Sequence, residues 1–260
     1  MYFPLTVLES RSAIDFECVP PVGWCFERYL TLGGQRAYDI GLGCWSCVFS
    51  LSRLAGADRE DSQSQFFPSF GDGLRELTQE SVSAIEPALP NGEYIVMLAS
   101  ESPRLVIAGD EGDYFTTEVP RTFPFHTRAS GSSIEYYRTR SFAFDEDRAL
   151  FEFVIPLAPA ARLHAEVVLK YEALLEQGGN ATAVAISILD KRGPSDWPDD
   201  FQPEFKEHWC LTHYLIDGHH KMRAAANTGR GLTMVSFLAA DKGISKPADI
   251  QRIPELLDVL

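Results

Sequence analysis

Residues 213–225, "HYLIDGHHKMRAA", gather three histidines, an aspartate, a lysine and an arginine around a single glycine. An apolar run precedes this stretch and an alanine-rich one follows it, so it reads as strand, Asp-Gly turn and helix. At such a turn the backbone N–H groups of residues 218–221 lack partners within the helix. Those donors, with the positive end of the helix dipole, make an anion site. Lys221 and Arg223 add charge-assisted bonds to phosphate oxygens. Gly218 permits close backbone approach and an unusual φ. Asp217 either caps the helix or holds a metal ion carried by the ligand. His219 or His213 is suited to general acid/base work, and the Gly218–His220 backbone to holding phosphate.

The same histidines admit a second chemistry, because imidazole binds zinc and iron. His208, His213, His219 and His220 lie close in sequence, but strand alternation puts His208 and His213 on opposite faces. At most three could converge, so no metal ligand is assigned among them. Five cysteines form a third group. Cys44 and Cys47 make a C-x-x-C pair, with Cys18 and Cys25 upstream, and four thiolates could hold zinc. The upstream pair is widely spaced around two prolines and a glycine. The expected state is therefore buried thiols acting as small hydrophobes, with structural zinc second and a redox pair third.

The elements that position these groups are legible in part. The stretch 1–55 is strand-rich, and 56–73 is polar and acidic around Phe66, Phe67 and Phe70, as for a surface loop. "GLRELTQESVSAIEPAL" predicts a helix ending at Pro87 or Pro90, and "GEYIVMLA" and "RLVIAG" predict strands. Residues 113–155 hold strand-like pieces of unfixed number. Beyond Pro159, Leu163, Val167, Tyr171 and Leu174 mark one helix stripe, stopped by Gly178–Gly179. "ATAVAISILD", "HWCLTHYLID" and "LTMVSFLA" are buried strands by their apolar runs, and Gly229 closes the helix between the last two. A soft boundary near 156 divides a sheet-rich 1–155 from an α/β-patterned 156–260.

Composition limits the function classes. With 260 residues, 45% hydrophobic and 23% charged, the chain can bury a sizeable core. A net charge of −14 argues against nucleic acid as a partner, since a phosphate backbone is bound by clustered Lys and Arg. No run reaches the ~18–20 apolar residues that span a bilayer. No secretory leader is read at the start, and an odd cysteine count suits a reducing compartment. A cytoplasmic protein is expected.

"IDGHHKMRAA" resembles the arginine-rich box of the ParB/sulfiredoxin-like superfamily, G-E-R-R-x-R-A after a strand. Gly218, Lys221, Arg223 and Ala224 match it, with His219 in place of the glutamate and His220 in place of the first arginine. The likeness covers roughly residues 160–240. It implies an α+β fold with a C-terminal nucleotide-binding unit on Gly218, His219, His220, Lys221 and Arg223, taking ATP, ADP or CTP with Mg2+. The function it implies is phosphoryl transfer to a small molecule or protein, with Asp217, His219 and His213 as candidate catalytic groups. The alternatives are a non-catalytic nucleotide-gated module that contacts a partner protein, and a histidine-centred metal enzyme. Sulfiredoxin's reactive cysteine has no counterpart in the box, so its reaction is not implied.

Overall fold

An unbroken apolar strand must be covered on both faces, and the arrangement of the chain supplies that cover. The computed structural model describes residues 2–20, 25–58, 73–124 and 134–258. Its strands are β1 (Tyr2–Val7), β2 (Ile14–Cys18), β3 (Glu27–Leu32), β4 (Gln35–Leu42), β5 (Ser52–Arg53), β6 (Gly92–Glu101) and β7 (Arg104–Val106). They continue with β8 (Tyr136–Ala143), β9 (Arg148–Pro156), β10 (Thr182–Arg192), β11 (Glu207–Asp217) and β12 (Leu232–Ala239). Helices are α1 (Gln79–Ser83), α2 (Tyr114–Thr117), α3 (Val119–Thr122), α4 (Ala165–Glu176), α5 (His219–Thr228), α6 (Pro247–Ile250) and α7 (Ile253–Leu256). Eight strands form a mixed sheet in the order β1-β6-β12-β10-β11-β9-β8-β7, and β2 to β5 form a second, antiparallel sheet. The fold is of the α+β class.

The main sheet curls on itself. Arg140 of β8 donates to the Ser100 carbonyl of β6 at 2.6 Å and pairs with Glu101 at 3.0 Å. Four strands lie between β6 and β8 in the ladder. The chain also crosses directly from β6 to β7 through Ser102 and Pro103.

Period-2 alternation assigns each central strand two apolar faces. One face carries Val184, Ile186, Ile188, Tyr214, Phe153 and Phe237, packed with Leu30, Leu32, Tyr38 and Ile40 of the second sheet. On the other, Ala183, Ala185, Leu215 and Met234 meet Val168 and Leu175 of α4 and Met222 and Ala225 of α5. Further along that face, Met97, Leu189, Trp209, Leu211 and Leu238 meet Ile250, Ile253 and Leu257.

Several expectations are corrected. The helix read across 73–89 is confined to α1, because Thr78 and Ser81 form a capping box that starts it at Gln79. The α4 stripe is turned by one residue, with Val168 and Leu175 buried and Leu163 and Tyr171 packed beside them. The described parts of 113–155 form α2, α3, β8 and β9, and residues 125–133 lie outside the described residues. Residue 156 falls within a sheet that draws strands from both sides of it. The phenylalanines of 66–70, with Arg59, Glu60 and Asp61, lie outside the described residues. Asp145, Glu146 and Asp147 form the bend between β8 and β9.

Candidate functional site

β11 and α5 meet at Gly218, whose φ of +92° lies in the left-handed region that glycine enters at little cost. A Cβ there would sit 2.9 Å from the Cα and the Cβ of Ala183 on β10. Gly218→Ala is expected to lower stability by about 2–3 kcal/mol, from backbone strain and collision together. Urea unfolding reads this, and an unchanged midpoint would mean that β10 can step aside. This demand for glycine needs no ligand.

The side chains of the box divide between fold and pocket. His219 is partly buried, and its Nε2 accepts the Ala158 N–H at 3.0 Å while the ring also bonds the Leu215 backbone. Burial, with His220 adding to it, lowers its pKa to about 4, so the ring is neutral at neutral pH. His220 Nε2 accepts the His164 N–H at 3.0 Å, and the two rings stack at 5.9 Å. These histidines therefore tie the start of α5 to the 158–164 segment. Lys221 is turned inward, donating from Nζ to the Thr182 carbonyl at 3.0 Å and lying 3.8 Å from Asp217 Oδ2. That placement corrects the expectation of a phosphate-binding ammonium. Gly218 is the N-cap and has no side chain of its own to offer the helix. Asp217 is partly exposed.

Arg223 lines a pocket of about 200 Å³ beside Arg53, Glu135, Tyr137, Tyr38 and the edge of His219. Its Nη2 donates to Glu135 Oε2 at 2.7 Å, while Nε is buried with no hydrogen-bond partner. Arg53 pairs with Asp58 at 2.9 Å. Of the box, then, the structure brings His219 and Arg223 to one cavity. The sequence reading missed Tyr38, Arg53 and Glu135, which arrive from β4, β5 and the approach to β8, far away in the chain.

His213 lies elsewhere. Five residues up β11, roughly 16 Å from the turn by strand rise, it belongs to a polar belt inside the curled sheet. Ser236 of β12 bonds Ser187 of β10 at 2.7 Å, Ser187 bonds His213 Nδ1 at 2.6 Å, and His213 Nε2 meets Glu152 Oε1 of β9 at 2.9 Å. Thr139 donates to Glu152 Oε2 at 2.5 Å. Glu101 completes the belt, fully buried beside Arg140. Burial and the neighbouring Glu152 hold the Glu101 carboxyl well above the usual range. Burial also acts to raise Glu152, but His213 and Arg140 outweigh it and keep that group low. A serine–histidine–carboxylate order is the order of an acyl-transfer relay, yet all three are at most 1% exposed, and no substrate reaches them. A signal was present: one polar residue interrupts each apolar run, in "AISIL", "THYLI", "FEFVI" and "MVSFL".

Among the described residues, the histidines do not converge on one point. His208 faces away from His213, bonded to the Tyr114 hydroxyl and to Thr122 at 2.8 Å each. Among the described residues, the only three potential ligand side chains that converge are Cys25, Cys44 and Cys47. Cys18 is exposed and outside that group. Burial opposes ionisation of Cys44, but hydrogen bonds from Ser46, Cys47 and Cys25 bring its thiol down to about 6. Burial and the other two thiols push Cys47 up to about 12.

No family model matches the sequence, and no curated protein or solved structure matches it either. No helix among the described residues is long and apolar enough to cross a membrane.

Proposed function

We propose that this chain binds a phosphorylated small molecule, a nucleoside di- or triphosphate by its resemblance to the ParB/sulfiredoxin-like box, in the pocket between α5 and the β4–β5 edge. The observation that carries the reading is Arg223, which reaches that pocket with a buried Nε lacking a partner. The part of its guanidinium that lines the pocket can give a phosphate oxygen a charge-assisted bond. Arg53 lines the same pocket and adds a second guanidinium. A cavity of about 200 Å³ is smaller than the roughly 300–1,000 Å³ of sites that enclose a whole ligand. It takes the phosphate end and leaves the base outside.

Phosphoryl transfer to a small molecule or protein is the reaction the resemblance implies, with Mg2+ accompanying the nucleotide. His219 and His213 are both engaged in the fold, and Asp217, 3.8 Å from Lys221, is the remaining group that the resemblance implies for the acceptor proton or the magnesium ion. That engagement favours, as a second reading, a nucleotide-gated module that turns nothing over and contacts a partner protein.

Calorimetric titration of ATP, ADP and CTP, with and without Mg2+, tests the site. Arg223→Ala is expected to weaken binding by on the order of tenfold or more, while Arg230→Ala, at the far end of α5, leaves it unchanged. Equal affinity in a folded Arg223→Ala variant, or binding of none of the three, overturns the assignment. Phosphate release on incubation with an excess of nucleotide separates enzyme from gated module.

A further inference from the structure

We propose that Cys25, Cys44 and Cys47 form a three-thiolate site for one zinc ion, with the fourth coordination position open to water or an external ligand. The hairpin β3–β4 builds it. Glu27 pairs with Leu42 at the open end of that hairpin, so Cys25, just before β3, and Cys44, just after β4, emerge side by side. The Gly43 N–H donates to the Phe26 carbonyl at 2.7 Å, and a Cβ on Gly43 would strike the Phe26 ring at 2.2 Å. A larger residue at this crossing would therefore have to push the Phe26 ring aside. A turn then returns Cys47, whose N–H donates to the Cys44 carbonyl at 3.3 Å.

The distances suit the metal. Zinc–thiolate bonds of about 2.3 Å in a tetrahedron place neighbouring sulfurs about 3.8 Å apart. Cys25 and Cys47 have their Sγ atoms 3.8 Å apart, and all three sulfurs lie within 4.8 Å of one another.

Charge supplies an independent argument. Arg192, fully buried, donates from Nη1 to the carbonyls of Leu42 and Cys44 at 2.8 Å. Its carboxylate partner, Asp190, also serves the buried Arg28. Two guanidinium groups thus share one carboxylate, one positive charge remains, and Arg192 Nε has no hydrogen-bond partner. Zinc held by three thiolates forms a complex of net charge −1, with the remaining thiol protons passing to solvent, and this offsets that excess beside Arg192. The same bonds from Arg192, with the Gly193 N–H on the Trp45 carbonyl at 3.2 Å, fix the cysteine turn to the end of β10, so the ligands are held in place before the metal arrives.

The test uses the full chain, reduced and stripped with a chelator, then titrated with Co2+ and challenged with Zn2+. Expected are a near-ultraviolet thiolate-to-cobalt charge-transfer band saturating at about one equivalent, and its loss on zinc addition. Cys25→Ser and Cys47→Ser should each weaken binding by more than the about 10–100-fold that loss of an outer-shell partner costs, while Cys18→Ser keeps the band. Zn2+ should also protect Cys25, Cys44 and Cys47, but not Cys18, from alkylation in the unaltered protein, a readout independent of variant folding. Absence of the band with all thiols reduced, a band untouched in Cys47→Ser, or equal alkylation of all four cysteines overturns the proposal. So does a Cys25–Cys47 disulfide in a protein that, once reduced, takes up no metal.

Discussion

Replacing Asp190 by alanine is expected to lower the unfolding free energy by about 3–5 kcal/mol, because it strips the shared partner from two buried guanidinium groups. Asp190 Oδ2 accepts from Arg28 Nη1 at 2.8 Å and from Arg192 Nη2 at 2.7 Å, and Oδ1 accepts the Ile244 N–H at 2.9 Å. Arg28 comes from β3 and Asp190 from β10, so the carboxylate also joins the two sheets. Against a typical total stability of about 5–15 kcal/mol, that is a large share, and it is read by urea unfolding. A loss below about 1 kcal/mol would show that water reaches the guanidinium groups. The pH dependence follows. Burial alone would raise the Asp190 pKa, but Arg28 and Arg192 outweigh it and hold it at about 2. A depressed carboxylate contributes stability above its unfolded pKa of about 3.9 and loses it as pH falls through the folded value. The gap between the unaltered protein and Asp190→Ala should therefore narrow between about pH 4 and 2.

The second large effect is expected at His213. Removing its ring takes away the 2.9 Å hydrogen bond to the buried Glu152 carboxylate, whose pKa is held low, and an unmade bond to a charged group costs about 1.5–3 kcal/mol. Glu101 is the control. Its raised pKa favours the protonated form, so Glu101→Gln should keep both shape and charge and cost about 1 kcal/mol or less. Thermal and urea unfolding of the two variants check the contrast. Equal losses would mean that the proton sits elsewhere in the belt.

How much of this was legible in the sequence depends on whether the signal was local. β10, β11, β12, α4 and α5 were readable because unbroken apolar runs and a helix stripe are written in adjacent residues, and Gly229 stops α5 at φ +64° as expected. The turn at Gly218 was readable for the same reason. What its neighbours do was not. His219 and His220 serve the Ala158 and His164 backbone, 61 and 56 residues away, and Lys221 serves Thr182, 39 residues away. Direction in space is set by partners that no window around the box contains. The cysteines follow the same logic. Spacing tied Cys18 to Cys25, whereas hairpin pairing carries Cys25 to Cys44 and leaves Cys18 at the outer end of β2, so the grouping depended on a register that only the folded sheet defines.

The place of β12 bears on how the chain can be made. It lies between β6 and β10, yet it follows every other described strand in the chain. Until residues 232–239 emerge, β6 and β10 each present an unpaired apolar edge, of the kind that invites association with other chains. Every earlier strand must wait, and a nascent chain cut short before Leu232 has no means to complete its centre. β12 is thus the keystone of the sheet, and the form that lacks it is the one a cell must shield.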